Sequence, residues 1–88
     1  MDKEQLNRLL AQVQSELRNA ESIDAEARKE LERTADEITQ ALDKGADGSV
    51  LNRLAARLKL EITQAEANHP NLTLSISELI DALSNIGV

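Results

Sequence analysis

Apolar residues recur at intervals of three and four along nearly the whole chain. The positions are Leu6, Leu10, Val13, Leu17 and Ala20; then Ala27, Leu31, Ala35, Ile38 and Leu42; then Leu51, Leu54, Leu58, Ile62 and Ala65; and finally Leu72, Ile76, Leu79, Leu83 and Ile86. Each residue turns an α-helix by about 100°, so steps of three and four return to the same side and draw one apolar stripe per helix. The first and last sets are spaced 4, 3, 4, 3, which also matches a heptad seam. Four stripes predict an all-α chain: two consecutive helical hairpins forming a four-helix bundle or a coiled-coil-like assembly.

The punctuation between stripes agrees. Asp2 suits the N-cap of a first helix reaching about Glu21. Ser22-Ile23-Asp24 then interrupts the pattern, and Asp24 can cap a second helix with Glu26 near its positive end. Gly45 fits the left-handed position that ends helices, and 45–49 is the clearest loop. A third helix, capped by Asp47 or Ser49, ends at Asn68-His69-Pro70, because proline biases the residue before it away from helical angles. The fourth segment starts ambiguously. Leu72-Thr73-Leu74-Ser75-Ile76 alternates like a strand, and Ser75 with Glu78 would make a capping box. A lone strand would have no partner, so helix is expected from about Pro70, where proline suits a first turn. The organisation expected is a single helical domain over 1–88, with hairpin 1 at about 2–44 and hairpin 2 at about 50–87. Glu4 with Arg8, Glu30 with Arg33, and Arg33 with Glu37 are spaced to pair along the helix surfaces.

Shifting the chain by 45 residues lays Leu6-Asn7-Arg8-Leu9 on Leu51-Asn52-Arg53-Leu54, Ala20-Glu21 on Ala65-Glu66, and Asp36 on Asp81. A duplicated hairpin would produce this, and so would two amphipathic helices matched at their best offset. Both readings support two successive hairpins.

Composition narrows the function. The core must come from fourteen leucines, six isoleucines, three valines and twelve alanines, with no Phe, Tyr or Trp. Aromatic rings usually supply much of a core's area and directional packing, and a core made mostly of leucine specifies one arrangement weakly. Either a mobile monomer or, preferred, a homo-oligomer that buries additional area is therefore expected, with a homodimer favoured. Sixteen acidic residues against ten basic ones leave a net charge of −6, and no Lys or Arg follows Lys59. Phosphate backbones need clustered cations and single strands want stacking rings, so nucleic acid is excluded as a partner. Met1-Asp2-Lys3-Glu4 leads into no apolar signal core, and no run nears the roughly 20 apolar residues of a membrane span. A cytoplasmic protein without stable membrane insertion is expected.

The opening Met1-Asp2-Lys3-Glu4-Gln5-Leu6, the Ser22-Ile23-Asp24 break, the His69-Pro70-Asn71-Leu72-Thr73 turn and the end from Leu83 to Val88 resemble a family of small bacterial proteins catalogued only as a domain of unknown function. The resemblance spans nearly the whole chain. It implies a bacterial, cytoplasmic protein and brings no catalytic residues with it.

Material for chemistry is scarce. Glu66-Ala67-Asn68-His69 has the Glu-x-x-His spacing of di-iron bundles, and a homodimer would supply two copies. Against this di-metal alternative, His69 is the only histidine, stands where the helix ends, and no acidic residue interrupts a buried stripe. The six serines lie near no glycine-rich elbow, and the three glycines form no phosphate loop. No catalytic residue and no cofactor are assigned. What remains is the apolar face of the fourth helix, Leu72, Ile76, Leu79, Ile80, Leu83 and Ile86, joined by Leu74, with only Glu78 and Asp81 charged beside it. Apolar groups on more than one side of a helix point to burial on more than one side. The expected function is a non-enzymatic interaction or structural module that self-associates or receives an unidentified protein's helix.

Overall fold

The computed structural model describes residues 3–20, 23–65 and 69–86, with the side chain of Ile86 outside that set. Each apolar stripe becomes one helix: α1 Lys3–Asn19, α2 Ala25–Asp43, α3 Gly48–Ala65 and α4 Pro70–Ile86. The helices pack in a ring, α1 on α2, α2 on α3, α3 on α4 and α4 back on α1, and among the described residues the diagonal pairs keep their backbones apart. Short connections make neighbours antiparallel, so this is an up-down-up-down four-helix bundle. The 45-residue shift found in the sequence carries the first residue of α1 onto that of α3 and the first residue of α2 onto that of α4. Exchanging the hairpins also maps the α2/α3 contact onto α4/α1, so the architecture has pseudo-two-fold symmetry.

The helix ends follow local chemistry. At the end of α2, the Gly45 N–H donates to the Leu42 carbonyl at 3.2 Å and the Ala46 N–H to the Ala41 carbonyl at 2.9 Å. This Schellman pair requires a left-handed residue. Gly45 supplies it, with a φ of 70°. Of the two candidate caps for α3, Asp47 is the one used: its Oδ1 accepts from the Ser49 and Val50 N–H groups at 3.1 and 3.2 Å, and from Ser49 Oγ at 2.6 Å. Asp24 is indeed the N-cap of α2, but its side chain makes no capping bond. The Arg28 guanidinium instead reaches back to the Ala20 carbonyl at the end of α1. Residues 70–76 are helical throughout, and the His69 carbonyl accepts the Thr73 N–H at 3.0 Å. Asp2, Ser22 and Glu66 lie outside the described residues.

The core is a continuous aliphatic cluster. Leu17, Leu31, Ile38, Leu58, Leu72, Ile76, Leu79 and Leu83 are completely buried, and Leu9, Leu42, Leu54, Ile62 and Ile80 pack against them half-buried. On α3, Ala55 rather than Leu54 sits in the centre of the seam. The radius of gyration is 12.0 Å. A compact domain of this length is expected at roughly 12 Å. The accessible surface is 5478 Å². That lies within about a tenth of the area expected for an average monomer of this mass. The core is thus compact without rings.

Two expectations follow. Leu79→Ala empties a fully enclosed site and should cost on the order of 2–5 kcal/mol in denaturant unfolding, much of a domain's roughly 5–15 kcal/mol; a smaller loss would mean the core relaxes into the gap. The second concerns pH. The Ser49 hydroxyl first, then the Val50 N–H, hold the Asp47 carboxyl below its ordinary range. Its contribution is therefore fully present above the pKa of an unfolded aspartate and is lost as pH falls through the lower folded value. Asp47→Ala should lower the melting temperature at neutral pH, with the gap to wild type closing across that acid window.

Candidate interaction surface

The candidate face divides once folded. Leu72, Ile76, Leu79 and Leu83 are each 0% exposed, so four of its six residues are taken up inside the chain. The reason is topological: α4 is flanked by both α3 and α1, and the two close over its seam. Ser75 and Ala82, 3% exposed each, extend the buried strip on the side away from Ile80, where their small size permits a close helix approach. Ile80 remains half-buried, Ile86 lies outside the described side chains, and Leu74 stands 60% exposed on the outer surface. Among the described side chains of this face, Leu72, Ile76, Leu79 and Leu83 form a core seam and Ile80 lies at its margin.

The polar contacts between helices are unevenly distributed. Between α2 and α3, fully buried Thr34 donates through Oγ1 to Glu61 Oε1 at 2.6 Å. Glu61, its side chain 11% exposed, is also 3.6 Å from Arg57, which bridges on to Glu37 at 2.7 Å. Between α1 and α2, Lys3 pairs with Asp43 at 3.2 Å and Gln14 Nε2 donates to Asp36 Oδ1 at 3.4 Å. Among the described residues, no side chain of α4 makes a hydrogen bond or ion pair, so α4 is held by apolar packing alone. Among the described residues the pairs expected along α1 and α2 do not form: Glu37 takes Arg57 across the α2/α3 contact rather than Arg33, and the along-helix pair present is Arg57–Glu61 on α3. Buried Thr34 was not legible as a core residue; its place one position before Ala35, beside the stripe, is the only signal.

Two grooves occupy equivalent places in the two hairpins. The α1/α2 groove, about 330 Å³, is lined by Gln14, Arg18, Glu32 and Asp36. The α3/α4 groove, about 310 Å³, includes Lys59, Thr63, Ser77 and Asp81, the residues that the 45-residue shift assigns to those four positions. Their floors differ. Ile62 and Ile80 line the second groove and are half-buried, whereas their counterparts in the first hairpin, Leu17 and Ala35, are fully buried. Bulkier Ile80 in place of Ala35 fits less completely beneath the rim.

A third, smaller pocket between the start of α2 and the end of α3 collects Asp24, Glu26, Glu30 and Glu61. Among the described residues no group of three or more His, Cys, Asp or Glu is arranged to hold a metal ion. His69 is half-buried just before α4, and Glu66, its proposed co-ligand, lies outside the described residues. No described helix is long and apolar enough to cross a membrane.

The Thr34–Glu61 bond gives a direct test of how the α2/α3 side is held. Thr34→Val keeps the shape and removes the donor, leaving a mostly buried carboxylate one bond short. A hydrogen bond to a charged group is worth about 1.5–3 kcal/mol, so the denaturation midpoint should fall accordingly. An unchanged midpoint would mean that Glu61 turns to water at no cost.

No curated protein and no solved structure matches this chain. A family described as Domain of unknown function (DUF4404) matches residues 6–88. That match takes in α2, α3, α4 and all but the first turn of α1, with both grooves, and the chain therefore belongs to this family.

Proposed function

We propose that this protein is a non-enzymatic, cytoplasmic interaction module that associates with itself as a homodimer through the α3–α4 side of the bundle. The observation that carries this is the contrast between the twin grooves: Ile62 and Ile80 are half-buried where Leu17 and Ala35 are sealed. Leu60, 57% exposed, and Leu74, 60% exposed, belong to the same two helices. The exposed face of α4 adds Thr73, Ser77 and Ser84, with no basic residue and only Glu78 and Asp81 charged. Hydroxyls cost less to take from water than charges do, so the dense charges of α2 would be the more expensive face to bury.

Sedimentation from micromolar to near-millimolar concentration, with circular dichroism alongside, tests the reading. The wild type should dimerise with rising concentration. Ile80→Glu should weaken the dimer roughly tenfold or more while the monomer stays helical, because it places an unpartnered charge in the contact. Ser77→Arg, at an exposed position on the same groove, is the second variant should Ile80→Glu unfold. A wild type monomeric throughout would sink the homodimer. Metal analysis of the same samples separates the di-metal alternative: iron, manganese and zinc should stay at background and not respond to His69→Ala.

A further inference from the structure

The α3/α4 groove carries one cation and one anion on opposite walls, Lys59 on α3 and Asp81 on α4. The equivalent positions of the first hairpin, Gln14 and Asp36, are joined across their groove by a hydrogen bond at 3.4 Å. Lys59 and Asp81, although opposite in charge, form no ion pair with each other, the ion pairs among the described residues being Lys3–Asp43, Arg57–Glu37 and Arg57–Glu61. Resting on the self-association proposed above, we infer that the occupant of this groove is the same groove of a second copy, with Lys59 of each chain paired to Asp81 of the other.

Symmetry supplies the reason. In a two-fold contact the same patch meets itself, so a residue i touching j requires j to touch i. A two-fold axis running along the groove lays α3 of one copy over α4 of the other. Each lysine wall then meets an aspartate wall, twice over, and the half-buried Ile62 and Ile80 of both copies cover one another between the charge pairs. The α1/α2 groove also holds a cation and an anion on opposite walls, Arg18 and Glu32, but its floor is already sealed and Gln14 is bonded to Asp36 across it, so it offers a partner no apolar area. Each copy carries a net charge of −6, so the two chains repel at long range and a lysine that faces the partner matters the more.

Complementary charge variants test this directly. Lys59→Asp and Asp81→Lys are surface changes, so melting curves should stay near wild type. Each alone sets like charges together at both symmetry-related contacts and should weaken dimerisation by roughly tenfold or more. Mixed in equal amounts, the two single variants restore an opposite pair at each contact, so sedimentation should recover a heterodimer; the double variant should recover a homodimer. Single variants that dimerise like wild type, or a mixture that stays monomeric while wild type dimerises, would overturn the groove pairing and leave the self-association standing. A wild type that is monomeric throughout would overturn both.

Discussion

Burial of four aliphatic seams against one another is the constraint from which the rest of this molecule follows. With no aromatic ring in the sequence, packing must come from many small interdigitating contacts among Leu, Ile, Val and Ala, each gaining little and together a great deal. Such a core needs helices that approach closely and evenly. Small side chains provide that approach at Ala35, Ala55, Ser75 and Ala82, all 3% exposed or less. Leu17, Leu58, Leu79 and Leu83 then fill the space between and are enclosed completely. A leucine-rich core specifies one arrangement weakly. The arrangement here is pinned by its ends and its polar links: the Gly45 turn, the Asp47 cap, the Arg28 tether to the end of α1 and the Thr34–Glu61 bond.

Those links are not shared equally, and their distribution shapes the surface. The two hairpins start from matching helices and place matching grooves, yet polar contacts gather on α2 and leave α4 with none among the described residues. The first groove has a sealed floor and a polar bridge: small Ala35 accompanies a Gln14–Asp36 bond. The second keeps bulk and lacks the bond, with Ile80 beside Lys59 and Asp81 that do not meet. Pseudo-symmetry therefore supplies an internal comparison: one topology with two surface chemistries, the first with its apolar floor sealed and the second with that floor in view.

The expected interaction face shows where reading a stripe ends. Leu72, Ile76, Leu79 and Leu83 were legible as an apolar seam, and they are one, but a seam does not say whether its cover comes from the same chain or another. Two flanking helices cover it here. A ring-free core of this kind still reaches the radius of gyration usual for its length, 12.0 Å. Thr34 carries little local mark of burial beyond its place beside Ala35, because its partner Glu61 is 27 residues away. The strand-like alternation of 72–76 gave way to helix because Leu72 and Ile76 also fall one turn apart on the seam that α1 and α3 require.

Periodicity, caps and breaks by themselves determined four helices, their order, the Gly45 turn and most of each seam's membership, since these depend on chemistry within a few residues along the chain. The likeness of the two hairpins was also written there, as a shift of 45 that the helix starts obey. What only the tertiary structure decided was which sides of each helix are sealed: that Ile80 stays half-exposed while Ala35 vanishes, that Glu37 reaches Arg57, that Lys59 and Asp81 share a groove without pairing. These outcomes depend on the separation and rotation of neighbouring helices, set by the sum of side-chain volumes across an interface, and no local pattern in one helix encodes the volume that its neighbour will present.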